Sequence, residues 1–297
     1  MSKIDYKLLY ALFMVMQEQS FERAARMLSI SQSAVSQRIK QLEEFVGHPV
    51  IVRGTPIVPT AIGEQLLSHF RQVQQLENIL LPELLTTGTN QNVRLSIAVN
   101  TDSVSTWFFS AMMPLLQRYP VELNLLIDNE SCTLDKLKSG EVFAAVSLQS
   151  HAMPGYQAYE LGKMEYILVA CEAFKSQYFA NGVNADTLKY APGVSFDCKD
   201  DLHIRFIDRH FGLPAGSYPK HTVRYAQAVL DLTRQGVAYA LLPRIQLSEF
   251  LQNGELINLL PSKSYAQTLY WHCWSMLRGV YKEVSSEMVE YSRRLLD

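Results

Sequence analysis

Cysteine is scarce in this chain, with four among 297 residues, far apart and without a C-x-x-C pair. Such spacing argues against a disulfide framework and against a zinc site built from cysteines. It is typical of a protein that stays reduced in the cytoplasm. The four residues are Cys132, Cys171, Cys198 and Cys273.

Long apolar runs are absent as well. No stretch approaches the roughly 20 apolar residues that span a bilayer, so we expect no membrane partner. The first nineteen residues are apolar enough to be compared with a signal peptide, but they contain Asp5 and Glu18 and lack a small-residue cleavage site. Their apolar residues recur at helical spacing, which predicts a first helix.

Enzymatic motifs are also missing. The chain has no G-x-S-x-G, P-loop, G-x-G-x-x-G or H-E-x-x-H sequence. Its seven histidines show no tight metal-ligand spacing, and His203 and His210, two turns apart on one expected helix, are more typical of a surface or an interface. Cys198, beside Asp197, could be considered as a nucleophile, but the sequence places no general base near it. We therefore predict no enzymatic activity, no cofactor and no metal.

Charge of one sign is not abundant either, since the net charge is −2 and charged residues make up 19% of the chain. The 48% hydrophobic content is that of a globular protein, and the length predicts two or three domains. Residues 1–60 hold seven Lys or Arg and five Asp or Glu, a balance of +2. Nucleic-acid binding there would need help from helix N-termini and from a second copy.

What the chain does have is a pair of short helical patterns in residues 20–42, joined by Ser29-Ile30-Ser31. Ser20 and Ser31 are suited to cap the two helices. In the second helix Val35, Ile39 and Leu42 recur at i, i+4 and i+7, which predicts one buried side.

The other side of the second helix carries short amides and hydroxyls with one cation. Such groups match the donors and acceptors on base edges in the major groove of DNA. An ordinary solvated helix face more often has Glu and Lys pairs. At this point, a helical hairpin packed in any small bundle remains an alternative interpretation. The predicted DNA-binding residues at this helix are Ser31, Gln32, Ser33, Ser36, Gln37 and Lys40.

A β-prone segment follows, with strands at residues 50–53 and 57–58 around a turn at 54–56. This pattern predicts a two-stranded wing with Arg53 at its tip, where it would contact phosphate. Thr60 would cap the next helix, whose N-terminus faces the same DNA backbone.

The residues FERAARMLSISQSAVSQRIKQLEEFVGHPVIVR followed by PTAIGEQLL resemble the winged helix-turn-helix of LysR-type transcriptional regulators. The resemblance covers the rest of the chain. The segments LSIAVNTDSVSTWF, GEVFAAVSLQ and LYWHCW are similar to a lysine- and arginine-responsive member of that family. This resemblance implies that the protein regulates genes of arginine or lysine transport or metabolism, with promoter DNA and RNA polymerase as partners.

The apolar pattern of residues 61–81 predicts one long amphipathic helix. The spacing of its apolar stripe, Leu66, Phe70, Val73 and Leu80, is close to the repeat of a coiled coil. A homodimer through this helix is the favoured interpretation, because a reader with one recognition helix usually needs two half-sites. The alternative is that the stripe packs on its own wing domain. Pro82 and the polar residues 86–92 would end the helix and form a hinge. Pairing of dimers into tetramers stays open.

From residue 93 strands alternate with helices, which predicts a mainly parallel sheet covered by helices. Strands are expected at 94–99, 122–127, 142–148, 166–170, 193–196, 222–223, 239–242 and 269–274. Helices are expected at 106–118, 134–138, 202–211, 226–234 and 280–296.

The resemblance implies an α/β fold with three parts: a winged helix-turn-helix (residues 1–60), a linker helix and hinge (61–92), and a two-lobed effector domain of the periplasmic-binding-protein type (93–297). Lobe I would comprise about 93–162 and 266–297, and lobe II about 163–265. The chain would cross twice between the lobes, leaving a cleft for a small ligand.

Candidate ligand residues follow from the strand ends, because ligands of open α/β sheets bind outside the carboxyl ends of strands. Hydroxyls and free N–H groups there would hold a carboxylate, and acids would meet a cationic side chain. Each residue also has a plain explanation as a helix cap or a turn residue. The candidates are Asn100, Thr101, Asp102, Ser103, Asp128, Glu130, Ser147, Gln149 and Asp197.

Two functions without catalysis stay open. The first is a transcription factor controlled by a basic amino acid, with activation and repression both possible. The second is an architectural or replication-origin DNA-binding protein that needs no effector.

Overall fold

The computed structural model describes residues 4–84, 93–196 and 201–296. The N-terminal unit consists of α1 (Tyr6–Glu18), α2 (Phe21–Met27), α3 (Gln32–Val46) and the antiparallel strands β1 (Ile51–Val52) and β2 (Val58–Pro59). The predicted caps form: the N–H of Arg23 donates to Ser20 Oγ at 3.3 Å, and that of Ala34 donates to Ser31 Oγ at 3.2 Å. Ser29 turns the chain between α2 and α3 with a φ of +53°.

The linker helix α4 spans Ala61–Leu84. Thr60 caps it, since its hydroxyl accepts from the N–H of Gly63 at 3.1 Å and donates to the carbonyl of Pro49 at 2.8 Å. The helix continues past Pro82, contrary to the prediction that it would end there. The predicted hinge at 86–92 lies outside the described residues.

The apolar stripe of α4 is divided between two environments. Phe70 is buried in the core of the N-terminal unit and packs on Phe13 of α1 with ring centroids 5.3 Å apart. The alternative interpretation, packing on the wing domain, is therefore correct for Phe70. Leu76 and Leu80, further along α4, are 38% and 44% exposed.

A nine-stranded mixed sheet underlies the C-terminal region, in the order β4-β3-β5-β11-β6-β9-β7-β8, with β10 beside β6. The strands are β3 (Val93–Val99), β4 (Val121–Ile127), β5 (Ala144–Ser147), β6 (Tyr156–Ala170), β7 (Gly193–Ser195), β8 (Lys220–Thr222), β9 (Tyr239–Pro243), β10 (Ile257–Asn258) and β11 (Tyr265–Trp274).

Helices cover this sheet. One helical run combines α5 (Thr101–Ser103), a π-helical turn (Val104–Phe108) and α6 (Phe109–Arg118). The others are α7 (Glu130–Lys138), α8 (Glu172–Tyr178), α9 (Ala185–Leu188), α10 (Asp201–Phe211), α11 (Ala226–Arg234), α12 (Ser248–Gln252) after a 3₁₀ turn (Arg244–Leu247), and α13 (Gly279–Leu296).

The expected mainly parallel sheet needs correction. Strands β4, β3 and β5 are parallel in lobe I, and β9, β7 and β8 are parallel in lobe II. The two strands between them, β6 and β11, are antiparallel to each other and to β9 and β5. The physical reason is that β6 leads into lobe II and β11 returns from it, so the two crossings run in opposite directions.

The linker helix α4 docks on lobe I of its own chain. Ser68 Oγ and Gln72 Nε2 both donate to the carbonyl of Lys138 at 3.0 Å, and Gln75 Nε2 donates to the carbonyl of Gly140 at 2.9 Å. These carbonyls belong to the end of α7 and the turn that follows it. The linker helix α4 and lobe I are therefore joined by hydrogen bonds to backbone oxygens.

Candidate functional site

Helix α3 separates an apolar side from a polar side as predicted. Val35, Ile39 and Leu42 are fully buried in the core of the N-terminal unit. The opposite side is accessible to solvent: Ser31, Gln32, Ser33, Gln37 and Lys40 are exposed, and Ser36 is half-buried. The polar row thus presents amides and hydroxyls on the outer surface of the N-terminal unit.

The wing places its cation beside this face. Arg53 is exposed after β1, and its guanidinium lies 5.8 Å from the ring centroid of Phe21, the first residue of α2. Lys40 is 3.6 Å from Glu44 in an exposed pair, which contributes little to stability. Both cations are accessible to a polyanion.

A cleft of about 820 Å³ lies between the two lobes. Six of the nine predicted ligand residues line it, all from the strand ends of lobe I and the segments that follow. They are Asn100, Thr101, Asp102, Asp128, Ser147 and Gln149.

The prediction for Ser103 is wrong. Its side chain is fully buried and does not line the cleft. Ser103 lies two residues after Thr101 on a helix, so the directions of their side chains differ by about 200°. Ser103 therefore faces the core of lobe I. Asp197 lies outside the described residues, as does the side chain of Glu130.

Both acids of the cleft interact with neighbouring side chains. Asp102 accepts a hydrogen bond at 2.8 Å from the hydroxyl of Tyr166, a neutral group. Asp128 lies 3.2 Å from the ammonium of Lys136 and also accepts from the N–H of Asn129 at 2.8 Å. The carboxylate of Asp128 is therefore already balanced by a cation of its own lobe.

Several cleft residues were missed by the sequence argument. Tyr166, Tyr265 and Gln267 come from the crossing strands β6 and β11, and Ser195, His203 and Gln246 come from lobe II. Ser195 ends β7, the strand after which Asp197 was predicted, so the strand-end rule identified the right strand end but not this residue. The crossing strands carry no local signal, because their position depends on pairing between segments about 100 residues apart.

His203 is buried, which corrects its predicted place at a surface or interface. Its ring stacks on that of Tyr239 with centroids 5.5 Å apart, in the wall of the cleft. Burial lowers the pKa of His203 to about 3, and the nearby charge of Lys220 adds to this effect. The imidazole is therefore neutral at physiological pH.

Within the described ranges, no group of three or more His, Cys, Asp or Glu side chains is arranged to hold a metal ion. Among the same residues, no helix has the length and apolarity that a bilayer crossing requires.

Comparison with known families gives two matches that together cover most of the chain. The family described as "Bacterial regulatory helix-turn-helix protein, lysR family" matches residues 6–64, and the "LysR substrate binding domain" matches residues 89–277.

Individual relatives agree with these matches. The chain is 47% identical to the HTH-type transcriptional regulator ArgP of Aeromonas salmonicida over 296 residues, covering 100% of this chain and 99% of that one. Among solved structures, ArgP from Mycobacterium tuberculosis is similar with a TM-score of 0.87 and 28% identity, with 98% of each chain covered. Full-length LysG from Corynebacterium glutamicum, with bound effector Arg, is similar with a TM-score of 0.78 and 29% identity, covering 98% of this chain and 99% of that one.

Proposed function

The chain belongs to the LysR family of transcriptional regulators, and from that premise we propose that it controls arginine or lysine transport or metabolism genes in response to a basic amino acid. The effector is lysine, arginine or both, and it binds in the cleft between the lobes. The observation that carries the proposal is a cleft with acidic, hydroxyl and amide groups on one wall, in a chain similar to LysG with bound effector Arg.

The DNA contacts divide by chemistry. Ser31, Gln32, Ser33, Ser36 and Gln37 read base edges, because amides and hydroxyls discriminate between bases. Three further groups, Lys40, Arg53 and the helix N-terminus at Thr60, hold the phosphate backbone and give affinity without sequence preference.

Asp102 is the acid that receives the cationic end of the effector. A hydrogen bond from the hydroxyl of Tyr166 orients its carboxylate in the cleft. Asp128 is the second candidate, and an effector bound there would compete with Lys136. Thr101, Ser147 and Gln149 supply donors for the effector's own carboxylate.

The active form is a homodimer joined through α4. Its exposed Leu76 and Leu80 offer apolar area that the described residues leave accessible. A dimer presents two copies of α3 to two half-sites. Effector binding changes the placement of these helices, and hence contact with RNA polymerase, only to the extent that it favours one arrangement over the other.

The test uses operator duplexes selected from random DNA by the full-length protein. Footprints on such a duplex are compared without ligand, with lysine and with arginine. We expect the protected region to change with at least one of the two. Asp102→Asn should keep the ligand-free footprint and lose the change, whereas Asp208→Asn, an exposed acid on α10, should behave as the wild type does.

A footprint that no basic amino acid alters would overturn the proposal. It would favour an architectural or replication-origin protein that binds DNA without an effector.

A further inference from the structure

One buried acceptor in the cleft has its hydrogen-bonding capacity unused. The side-chain oxygen Oε1 of Gln267 is buried and has no hydrogen-bond partner among the described residues. Gln267 lines the cleft between the lobes. Buried carbonyl oxygens in folded proteins are nearly always paired, so an unpaired one in a ligand cleft indicates a donor that arrives with the ligand.

The position of Gln267 on β11 fixes this acceptor in space. Strand β11 pairs with β5 of lobe I and along its whole length with β6. Gln267 pairs with Met164 of β6, whereas the pairing with β5 is confined to residues 270–273, so the backbone of Gln267 is held on the β6 side, between the lobes. An acceptor placed there keeps its position relative to the floor of the cleft when the lobes move.

Gln267 also lies close to the assembly that orients Asp102. Tyr265 pairs directly with Tyr166 across the two crossing strands, and Gln267 is the next residue on the same face of β11. Diagonal neighbours of this kind lie about 7–8 Å apart and are within reach of long side chains. The hydroxyl of Tyr166 donates to Asp102, so Gln267 and Asp102 flank the same tyrosine.

We propose that Gln267 is the specificity-determining acceptor of the cleft, taking a hydrogen bond from the cationic side-chain nitrogen of the effector beside the carboxylate of Asp102. This inference rests on the proposed function of the cleft. An ammonium carries three N–H donors and a guanidinium five. One carboxylate leaves some of them unpaired, and a neutral amide oxygen accepts from them without adding charge.

The consequence is selection against neutral side chains. A ligand of the same length that ends in a methyl group leaves Oε1 of Gln267 buried and unpaired. Sites built to hydrogen-bond a polar group reject analogues that lack it for this reason. Gln267 thus distinguishes lysine from norleucine, which has the same carbon chain but no terminal ammonium.

The test measures binding of L-lysine, L-arginine and L-norleucine to the full-length chain by isothermal titration calorimetry. Gln267→Met removes the acceptor and keeps the shape, while Gln267→Glu keeps an acceptor at the same place. Gln252→Met, at an exposed position on α12, is the matched control. Circular dichroism melting checks that each variant is folded.

We expect Gln267→Met to weaken lysine and arginine binding about tenfold, with a smaller loss for norleucine. Gln267→Glu should bind lysine and arginine at least as tightly as the wild type, and Gln252→Met should be unchanged. Wild-type affinity in Gln267→Met would overturn the inference. So would an equal loss in Gln267→Glu, which keeps an acceptor at the same place, or an equal loss for lysine and norleucine.

Failure of the proposed function is distinguishable from these outcomes. It would appear as absence of binding heat with any basic amino acid in the wild-type chain, and the assignment of Gln267 would then fail with it.

Discussion

At the scale of single residues, the exposed side chains of α3 and the wing differ in what they can recognise. Gln32 and Ser33 present an amide and a hydroxyl, which match particular bases, whereas Arg53 presents a charge that any phosphate attracts. Their exposure leaves all three available to a duplex.

This difference predicts two kinds of loss. Gln32→Ala or Ser33→Ala should weaken binding to a selected operator by about 1–3 kcal/mol and leave binding to random duplex nearly unchanged. Arg53→Ala should weaken both duplexes about equally and reduce the slope of log affinity against log salt by about 1. Fluorescence anisotropy titrations at several salt concentrations measure both effects. Equal losses on both duplexes for all three variants would contradict the division.

A second prediction at this scale concerns pH. The pKa of His203 is about 3 in the folded chain, below the usual 6.5. Between these values the unfolded chain binds a proton that the folded chain does not, so stability rises with pH across this window and is lost as pH falls through it. Burial also lowers the pKa of His272, which acts in the same direction.

His203→Phe should therefore make the free energy of unfolding less dependent on pH between about 4 and 6.5. Urea unfolding at several pH values measures this dependence. His151→Phe, at an exposed histidine, is the control and should keep the wild-type dependence. A wild-type dependence in His203→Phe would show that this imidazole is not kept neutral by folding.

Individual site residues were predictable where a strand ends and were not predictable elsewhere. Thr101 and Asp102 follow β3 directly and line the cleft, as expected from their position. Ser103 also follows β3, but its side chain points into the core of lobe I. The direction of a helical side chain depends on its angular position around the helix, which the strand-end rule does not consider. Gln267 and Tyr166 reach the cleft through pairing between distant strands, and no local pattern marks them.

At the scale of elements, the contact between the start of α4 and β1 has almost no free space. A Cβ on Gly63 would lie 2.0 Å from the carbonyl oxygen of Val50, so this glycine allows the helix to approach the wing. A Cβ on Gly54, in the wing itself, would meet only the carbonyl oxygen of Pro56 at 3.5 Å. The two glycines therefore form a matched pair.

Gly63→Ala should destabilise the N-terminal unit by about 1–3 kcal/mol and displace the wing, because the backbone of β1 must move. Gly54→Ala should stay within about 0.5 kcal/mol of the wild type. Urea unfolding gives the stabilities, and hydrogen exchange at Val50 and Val52 reports on the wing. Equal stability of the two variants would show that α4 and β1 are less tightly packed than this geometry indicates.

Elements with local signals were predictable, and those that depend on tertiary pairing were not. The caps Ser20 and Ser31 and the exact extent of α11 follow from the sequence alone. Strand β6 was predicted only from residue 166, although it begins at Tyr156. Its first part contains Glu160, Gly162 and Lys163, which are poor strand formers, and pairing with β11 overrides that preference.

At the scale of the whole molecule, the cleft has walls from both lobes and a floor from the crossing strands. A ligand that fits there contacts residues far apart in sequence, such as Thr101 in lobe I and Ser195 in lobe II. The double crossing of the chain followed from the family resemblance. Periodicity alone indicated two successive units, because it cannot show which strands meet.

Effector binding should therefore protect both lobes at once. We expect arginine or lysine at saturating concentration to slow amide hydrogen exchange in residues 100–103 and 194–196, because the ligand bridges the two walls. Hydrogen exchange followed by mass spectrometry, with and without ligand, measures this. Asp102→Asn should lose the protection in both segments together. Protection confined to lobe I would show that the ligand does not join the lobes.

The docking of α4 on lobe I determines which substitutions the contact tolerates. The acceptors are main-chain oxygens of Lys138 and Gly140, which no substitution at those positions removes. Position 138 can thus vary among descendants of this protein without loss of the attachment. Position 140 cannot, because its φ is +74° and a Cβ there would lie 3.0 Å from Arg71 Cβ. Preservation of the contact therefore depends mainly on Gly140 and on the glutamines of α4.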